Sequence, residues 1–148
     1  MDMNIYQRED ALIKQLTESG GPGFREYESA VEQMVEIGEP AIERFFQVMT
    51  GEAVISCKHK HGLRVVLENR FFALIRLGQQ NIDAVLAAAK IGDRVENEWV
   101  LRAIGSVQDG RVDQFLLEFL DTRSESEARG IAYHFLRERG VLPPWACD

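Results

Sequence analysis

The residues best suited to chemistry crowd one short stretch, CKHKH at 57–61. Cys57, His59 and His61 are soft and borderline metal ligands, and alternate residues of an extended chain point to the same side. Zinc or a similar ion would want that donor set. Against it stand the missing fourth ligand and the missing paired spacing of a structural zinc site; His134 is the only other histidine. A Cys57 nucleophile activated by a neighbouring histidine lacks an acid to orient the base and donors for an oxyanion. The same stretch also reads as a polar, partly basic loop within a long insertion at 51–61, or as a contact for a partner. No Gly-rich phosphate loop, H-E-x-x-H, G-x-S-x-G or Cys-x-x-Cys pair occurs, and SGGPG at 19–23 is too short to cradle phosphate. No catalytic residue and no cofactor is expected, and the metal site stays a weak candidate.

The elements that must carry these residues are helical. Apolar residues recur every three or four positions over eight segments, at about 3–18, 25–38, 40–50, 62–77, 80–90, 94–107, 110–121 and 124–139. The fourth is apolar nearly all round and is expected to be the most buried. Pro40 suits a first helical turn, and Ser124 with Glu127 forms a capping box before the last segment. Only AVISC at 53–57 hints at a strand. The core is expected to hold Phe72, Leu77, Trp99, Ile104, Phe115 and Phe119. Pro143 and Pro144 stop the last helix, and Trp145 is expected to fold back over its open end.

Taken in pairs, the second helices end near Gly38, Gly78, Gly105 and Gly140, in VEIG, IRLG, RAIG and RERG. Their spacings of 40, 27 and 35 residues lie in the range of helical repeats. A glycine there lets the chain reverse with positive φ. Four hairpins follow, at about 3–38, 39–78, 79–105 and 106–140, with a C-terminal cap at 141–148. A single such hairpin cannot hide its apolar face, so copies must stack.

Arg70, Ala73 and Leu77, followed by Gly78, recur in spacing as Arg129, Ala132 and Leu136, preceded by Ala128. The third copy keeps Val100, Ile104 and Gly105 but has Asn97 in place of arginine; the first keeps Ile37 and Gly38. Asp93 and Asp121 stand in turns between helices. With these residues the chain resembles the HEAT-like repeat family, by motif over 39–140 and by helix count over 1–38. The resemblance implies an all-α fold, a right-handed α-solenoid of about four HEAT-like hairpins in one domain over 1–148. It also implies that Arg70 and Arg129 pair with an acid of a neighbouring repeat, Asp93 and Asp121 being the first candidates. An unpaired buried charge would be very costly.

Function is then expected from surface rather than from a reactive group. Family members usually line their inner surface with the second helices. By periodicity Glu98, Arg102, Tyr133, His134 and Arg137 face away from the core, and tyrosine and arginine are common interface anchors. Glu43, Asp83 and Asp113 each follow the first core residue of a first helix. Stacking would align them as an acidic row for a basic partner, although acids also favour a first turn because of the helix dipole.

Charge and composition limit the partners. At 148 residues, 45% hydrophobic and 28% charged, the chain is ordinary for one globular domain. Its net charge of −7 argues against general nucleic-acid binding. That charge is uneven: residues 1–56 hold 11 acids and 4 bases, 57–111 hold 9 bases and 6 acids, and 112–148 hold 7 acids and 4 bases. The middle can meet an acidic partner, or the ends and middle attract one another. No apolar run approaches a membrane span, the opening MDMNIYQRED has no signal-peptide pattern, and Cys57 with Cys147 makes no disulfide framework. The expectation is a cytoplasmic, non-catalytic module that binds another protein as scaffold or adaptor, away from membranes. Two alternatives stand beside it: an immunity- or inhibitor-type protein that binds one basic enzyme, and a metal-handling protein or enzyme that uses the 57–61 loop.

Overall fold

Turn chemistry divides the chain where the apolar period breaks. In the computed structural model, which describes residues 5–123 and 126–146, eight α-helices follow one another: α1 (Gln7–Glu18), α2 (Arg25–Ile37), α3 (Glu39–Met49), α4 (Leu63–Gln80), α5 (Ile82–Ala89), α6 (Glu98–Gly105), α7 (Gly110–Thr122) and α8 (Arg129–Glu138). A single 3₁₀ turn, Arg94–Glu96, precedes α6. No strand occurs among the described residues, so 53–57 is extended chain without a partner strand.

Several starts are fixed by side chains that satisfy otherwise orphaned backbone N–H groups. Asn81 Oδ1 accepts from Ala84 N at 3.3 Å, Asn97 Oδ1 from Trp99 N at 2.9 Å, and Asp109 Oδ1 from Arg111 N at 2.8 Å. Pro40 lies in the first turn of α3. The capping box does not start the last helix. Ser124 lies outside the described residues, Ser126 Oγ accepts from Ala128 N, and α8 begins at Arg129.

Two rows of helices result. Along one, α1 touches α3, α3 touches α5 and α5 touches α7; along the other, α2 touches α4, α4 touches α6 and α6 touches α8. Contacts of α1 with α2, α4 with α5, and α7 with α8 close the rows against each other. One apolar cluster runs between them from Leu12 to Leu136. Leu77, Ile104, Phe115 and Phe119 are buried in it.

Four expectations are corrected. Phe72 is 42% exposed and Trp99 39%. The fourth segment is apolar nearly all round because α4 has neighbours on both flanks, α2 and α6, as well as α1 and α5 beneath. Phe71 takes a flank, and Phe72, one residue or 100° further round, falls on the outward side. Trp145 is 82% exposed; Val141 and Leu142 pack against the end of the core instead. The turn expected at 78–80 is helix, and the break comes at Asn81.

The fourth correction concerns the glycines. Gly38 and Gly140 do take positive φ, +82° and +76°. Gly78 and Gly105 are helical and serve close packing. A Cβ on Gly78 would stand 2.9 Å from Val107 Cγ2, and one on Gly105 2.5 Å from the Phe135 ring. Each glycine lets an even-numbered helix accept a side chain from further along the chain, Gly78 of α4 from Val107 just after α6 and Gly105 of α6 from Phe135 of α8.

Candidate interaction surface

The CKHKH loop joins α3 to α4, and its three ligand candidates do not converge. Cys57 is half-buried, and its Sγ accepts from Arg70 Nη2 at 3.6 Å. His59 and His61 are exposed. No group of three His, Cys, Asp or Glu able to hold a metal ion occurs among the described residues. The loop is tied down by its backbone: Lys58 N donates to Glu18 Oε2 at 2.7 Å.

The row Glu43, Asp83, Asp113 is not an open acidic track. Each carboxylate meets an arginine further along the chain: Glu43 with Arg94 at 2.5 Å, Asp83 with Arg111 at 2.9 Å, and Asp113 with Arg139. Arg94 is the most confined of these, with a side chain only 3% exposed. Its guanidinium grips Glu43, Glu52 and the carbonyl of Ala88. Hydrogen bonds from Arg94 hold the Glu43 and Glu52 carboxyls below the usual glutamate range, and the two acids raise Arg94 in turn. The sequence gives no hint of this clamp: residue 94 opens the segment expected as the sixth helix, yet Arg94 lies in the 3₁₀ turn before α6 and its acids stand 51 and 42 residues earlier. The equivalence of the three acids was legible; their partners were not.

Arg70 and Arg129 are not partnered by Asp93 or Asp121. Arg70 donates to Thr17 Oγ1 at 3.2 Å and to Cys57. Arg129 donates to the Leu120 carbonyl at 2.5 Å and stacks over Tyr133. Asp93 meets Arg123 instead, and Asp121 is exposed. Half-burial explains Arg70: with its stem packed and its head partly wet, the Thr17 hydroxyl and Cys57 suffice.

The outward residues lie on α6 and α8, with Glu98, Arg102 and His134 exposed and Tyr133 and Arg137 half-buried. Glu98 pairs with Arg102 at 3.7 Å and His134 Nε2 lies 3.5 Å from Glu138. Tyr133 is flanked by the guanidinium groups of Arg129 and Arg137, 5.5 and 5.9 Å from its ring. Arg137 Nη1 also donates to Ala146 O at 2.6 Å, holding the C-terminal segment. Arg137 is thus occupied within the chain, and Arg102 is the freer anchor.

The more telling feature joins α4 to α6. Phe71 meets both Phe72 and Trp99 edge to face, with centroids 5.3 and 5.6 Å apart. Phe72 and Trp99 present their outer parts to solvent. Arg64, Glu68 and Phe72 follow one another at i, i+4 and i+8 on the outward side of α4, and Arg64 pairs with Glu68 at 2.8 Å. On α6, Glu98 and Arg102 share the outward side with Trp99. Two large aromatics are therefore ringed by polar pairs. One signal for this surface lay in the sequence: adjacent Phe71 and Phe72 cannot both occupy one narrow apolar stripe.

No helix among the described residues is long and apolar enough to cross a membrane. Comparison with known proteins finds no matching family model, no matching curated protein and no matching solved structure.

Proposed function

We propose that the chain is a non-catalytic protein-interaction module, a scaffold or adaptor of the HEAT-like kind. In this reading its four hairpins stack as a right-handed α-solenoid in the cytoplasm, and it docks its partner on the outward side of the even-numbered helices. Two rows of alternate helices support the stacking, as do arginines that reach back to acids of earlier helices. The observation that carries the function is the exposed pair Phe72 and Trp99. Large aromatics left partly wet, on helices rather than loops, cost the isolated chain solubility and offer a partner rigid apolar area. Interface hot spots favour such a centre with a polar rim. Glu98 and Arg102 form part of that rim, with Tyr133 and His134 further along the row.

The experiment is capture of the partner from the native host by the tagged chain, identification by mass spectrometry, and titration with the purified partner. Changing Phe72 and Trp99 together to Ser should weaken that binding by ~2 kcal/mol or more. The melting temperature should fall only slightly, because both side chains are already partly exposed. Undiminished affinity in a folded double variant would refute the assignment.

A further inference from the structure

We propose that the surface around Phe72 and Trp99 receives a second copy of this chain, the two α4 helices crossing antiparallel about a two-fold axis beside Phe72. The proposal rests on the interaction-module reading and names the partner for that face.

The outward side of α4 is self-complementary. Arg64, Glu68, Phe72, Arg76 and Gln80 follow one another at every fourth position and so form one ridge. Arg64, Phe72 and Gln80 are exposed, and Glu68 and Arg76 half-buried. Phe72 stands at the centre, with Glu68 ~6 Å of helix before it and Arg76 ~6 Å after it. A two-fold axis set across the ridge at Phe72 reverses the ridge onto its own copy. Glu68 then meets Arg76 of the second copy, Arg76 meets Glu68, and Arg64 meets Gln80. No like charges fall opposite each other. An axis along the ridge fails this test, because it sets Glu68 on Glu68 and Arg76 on Arg76. Such a ridge is inclined ~26° to its helix, so the reversed pair crosses at ~50°, the commonest angle between packed helices.

The aromatic centre supplies the apolar contact. Phe71 lies 5.3 Å from the Phe72 ring and 5.6 Å from Trp99, which joins the three into one patch across α4 and α6. With the axis across the ridge, the α6 flank of one copy lies over the α6 flank of the other. Two exposed aromatics from each copy then share one patch.

The rim strands no charge. Arg64 pairs with Glu68 at 2.8 Å, Arg76 with Glu28 at 2.9 Å and Glu98 with Arg102 at 3.7 Å within each copy. Covering the face therefore buries no unpaired ion. These arginines and glutamates cancel, so the net charge of −7 belongs to the rest of the chain and does not oppose the contact itself. A strongly charged ligand finds no excess of opposite charge on so balanced a face. The area suffices for a weak dimer. The 18 residues of α4 span ~27 Å, and half-coverage of the flanking helices widens the strip to ~20 Å. That gives ~500 Å² per copy and ~1,000 Å² in all, the low end for a specific interface.

The test is sedimentation equilibrium of the full chain up to about 1 mM, where a dimer with a Kd of roughly 10–100 µM is expected. Glu68→Arg alone sets arginine against Arg76 of the second copy, and Arg76→Glu alone sets glutamate against Glu68. Each should weaken self-association by about tenfold or more. Both side chains are at least one-third exposed, so thermal melts should change little. Mixing the two single variants in equal amounts should restore association to within about threefold of the parent, since every facing pair is again Arg with Glu. A folding defect in either variant does not produce that recovery. A second measurement leaves the face intact. The chain has two tryptophans, so a Trp145→Phe background leaves Trp99 as sole reporter. Its emission should move to shorter wavelength over the same concentration range. A chain that stays monomeric to about 1 mM overturns the proposal, as does a Trp99 spectrum that ignores association. A dimer that neither swap weakens forms on another face and overturns it too, as does a mixture no tighter than its components. Should the parent stay monomeric while the Phe72→Ser, Trp99→Ser variant loses a host protein, the module reading stands and only self-association falls. Should the dimer form as described while that variant keeps a host protein at full affinity, self-association stands and the module reading falls at this face.

Discussion

Replacing Arg94 by Met tests whether the clamp on Glu43 and Glu52 holds the fold together. Arg94 is 4% exposed, and its guanidinium makes hydrogen bonds of 2.8 and 3.0 Å to Glu52, 2.7 and 2.5 Å to Glu43, and 3.0 Å to the Ala88 carbonyl. Hydrogen bonds to charged groups are each worth ~1.5–3 kcal/mol net. Their sum does not apply, because Glu43 and Glu52 are 29% and 44% exposed and regain water once released. The Ala88 acceptor does not. A net loss of ~3 kcal/mol at neutral pH is expected, the low end for breaking a buried pair. Glu43→Gln should cost less, ~1–2 kcal/mol, since Glu52 still neutralises the cation. Urea unfolding reads this directly: with a slope of ~1.5–2 kcal/mol/M, the midpoint of Arg94→Met falls by ~1.5–2 M. The pH dependence adds a second check. Arg94 holds both carboxyls below the ordinary glutamate value of 4.5 in the folded chain. Their contribution is therefore fully present above that value and is lost as the pH falls through the lower folded values. The gap between parent and variant should be constant from neutral pH down to about 5 and narrow at about pH 3. A gap under ~1 kcal/mol at neutral pH, or one of undiminished size in acid, would refute the reasoning.

Two further substitutions probe the packing. Gly105→Ala drives a methyl into the Phe135 ring and should cost ~1–3 kcal/mol in urea unfolding, with Phe135→Leu restoring part of it by making room. Asn69, 2% exposed, donates Nδ2 to the carbonyls of Leu16, Thr17 and Ser19 at 3.3, 3.4 and 3.0 Å. Asn69→Asp puts an acceptor against those acceptors and should lower stability by ~3 kcal/mol or more near neutral pH, read as a drop in melting temperature that partly recovers in acid.

What the sequence made legible is local. Helices announce themselves through a period that neighbouring residues share, and caps such as Asn81 and Asp109 act within three residues. The buried set Leu77, Ile104, Phe115 and Phe119 follows from that period. Phe72 and Trp99 were misplaced because an apolar residue on a helix with two lateral neighbours can face either of them or solvent, and periodicity does not distinguish these. Glycine identity marked Gly78 and Gly105 as special but not why. Their partners, Val107 and Phe135, lie about thirty residues on. Arg94 was invisible for the same reason: its acids lie 51 and 42 residues earlier in the chain.

Asn69 also bears on timing. Its side chain ties the end of α1, and its own carbonyl accepts from buried Tyr27 Oη of α2 at 2.8 Å. The turn between the first two helices is therefore finished by a residue that the ribosome adds long after Ile37 closes α2. At roughly 5–20 residues per second, the N-terminal hairpin waits on the order of 2–6 s for its latch. Through that interval Tyr27 Oη and the carbonyls of Thr17 and Ser19 must do without Asn69, while Leu16 O keeps its bond from Ser19 Oγ at 2.9 Å.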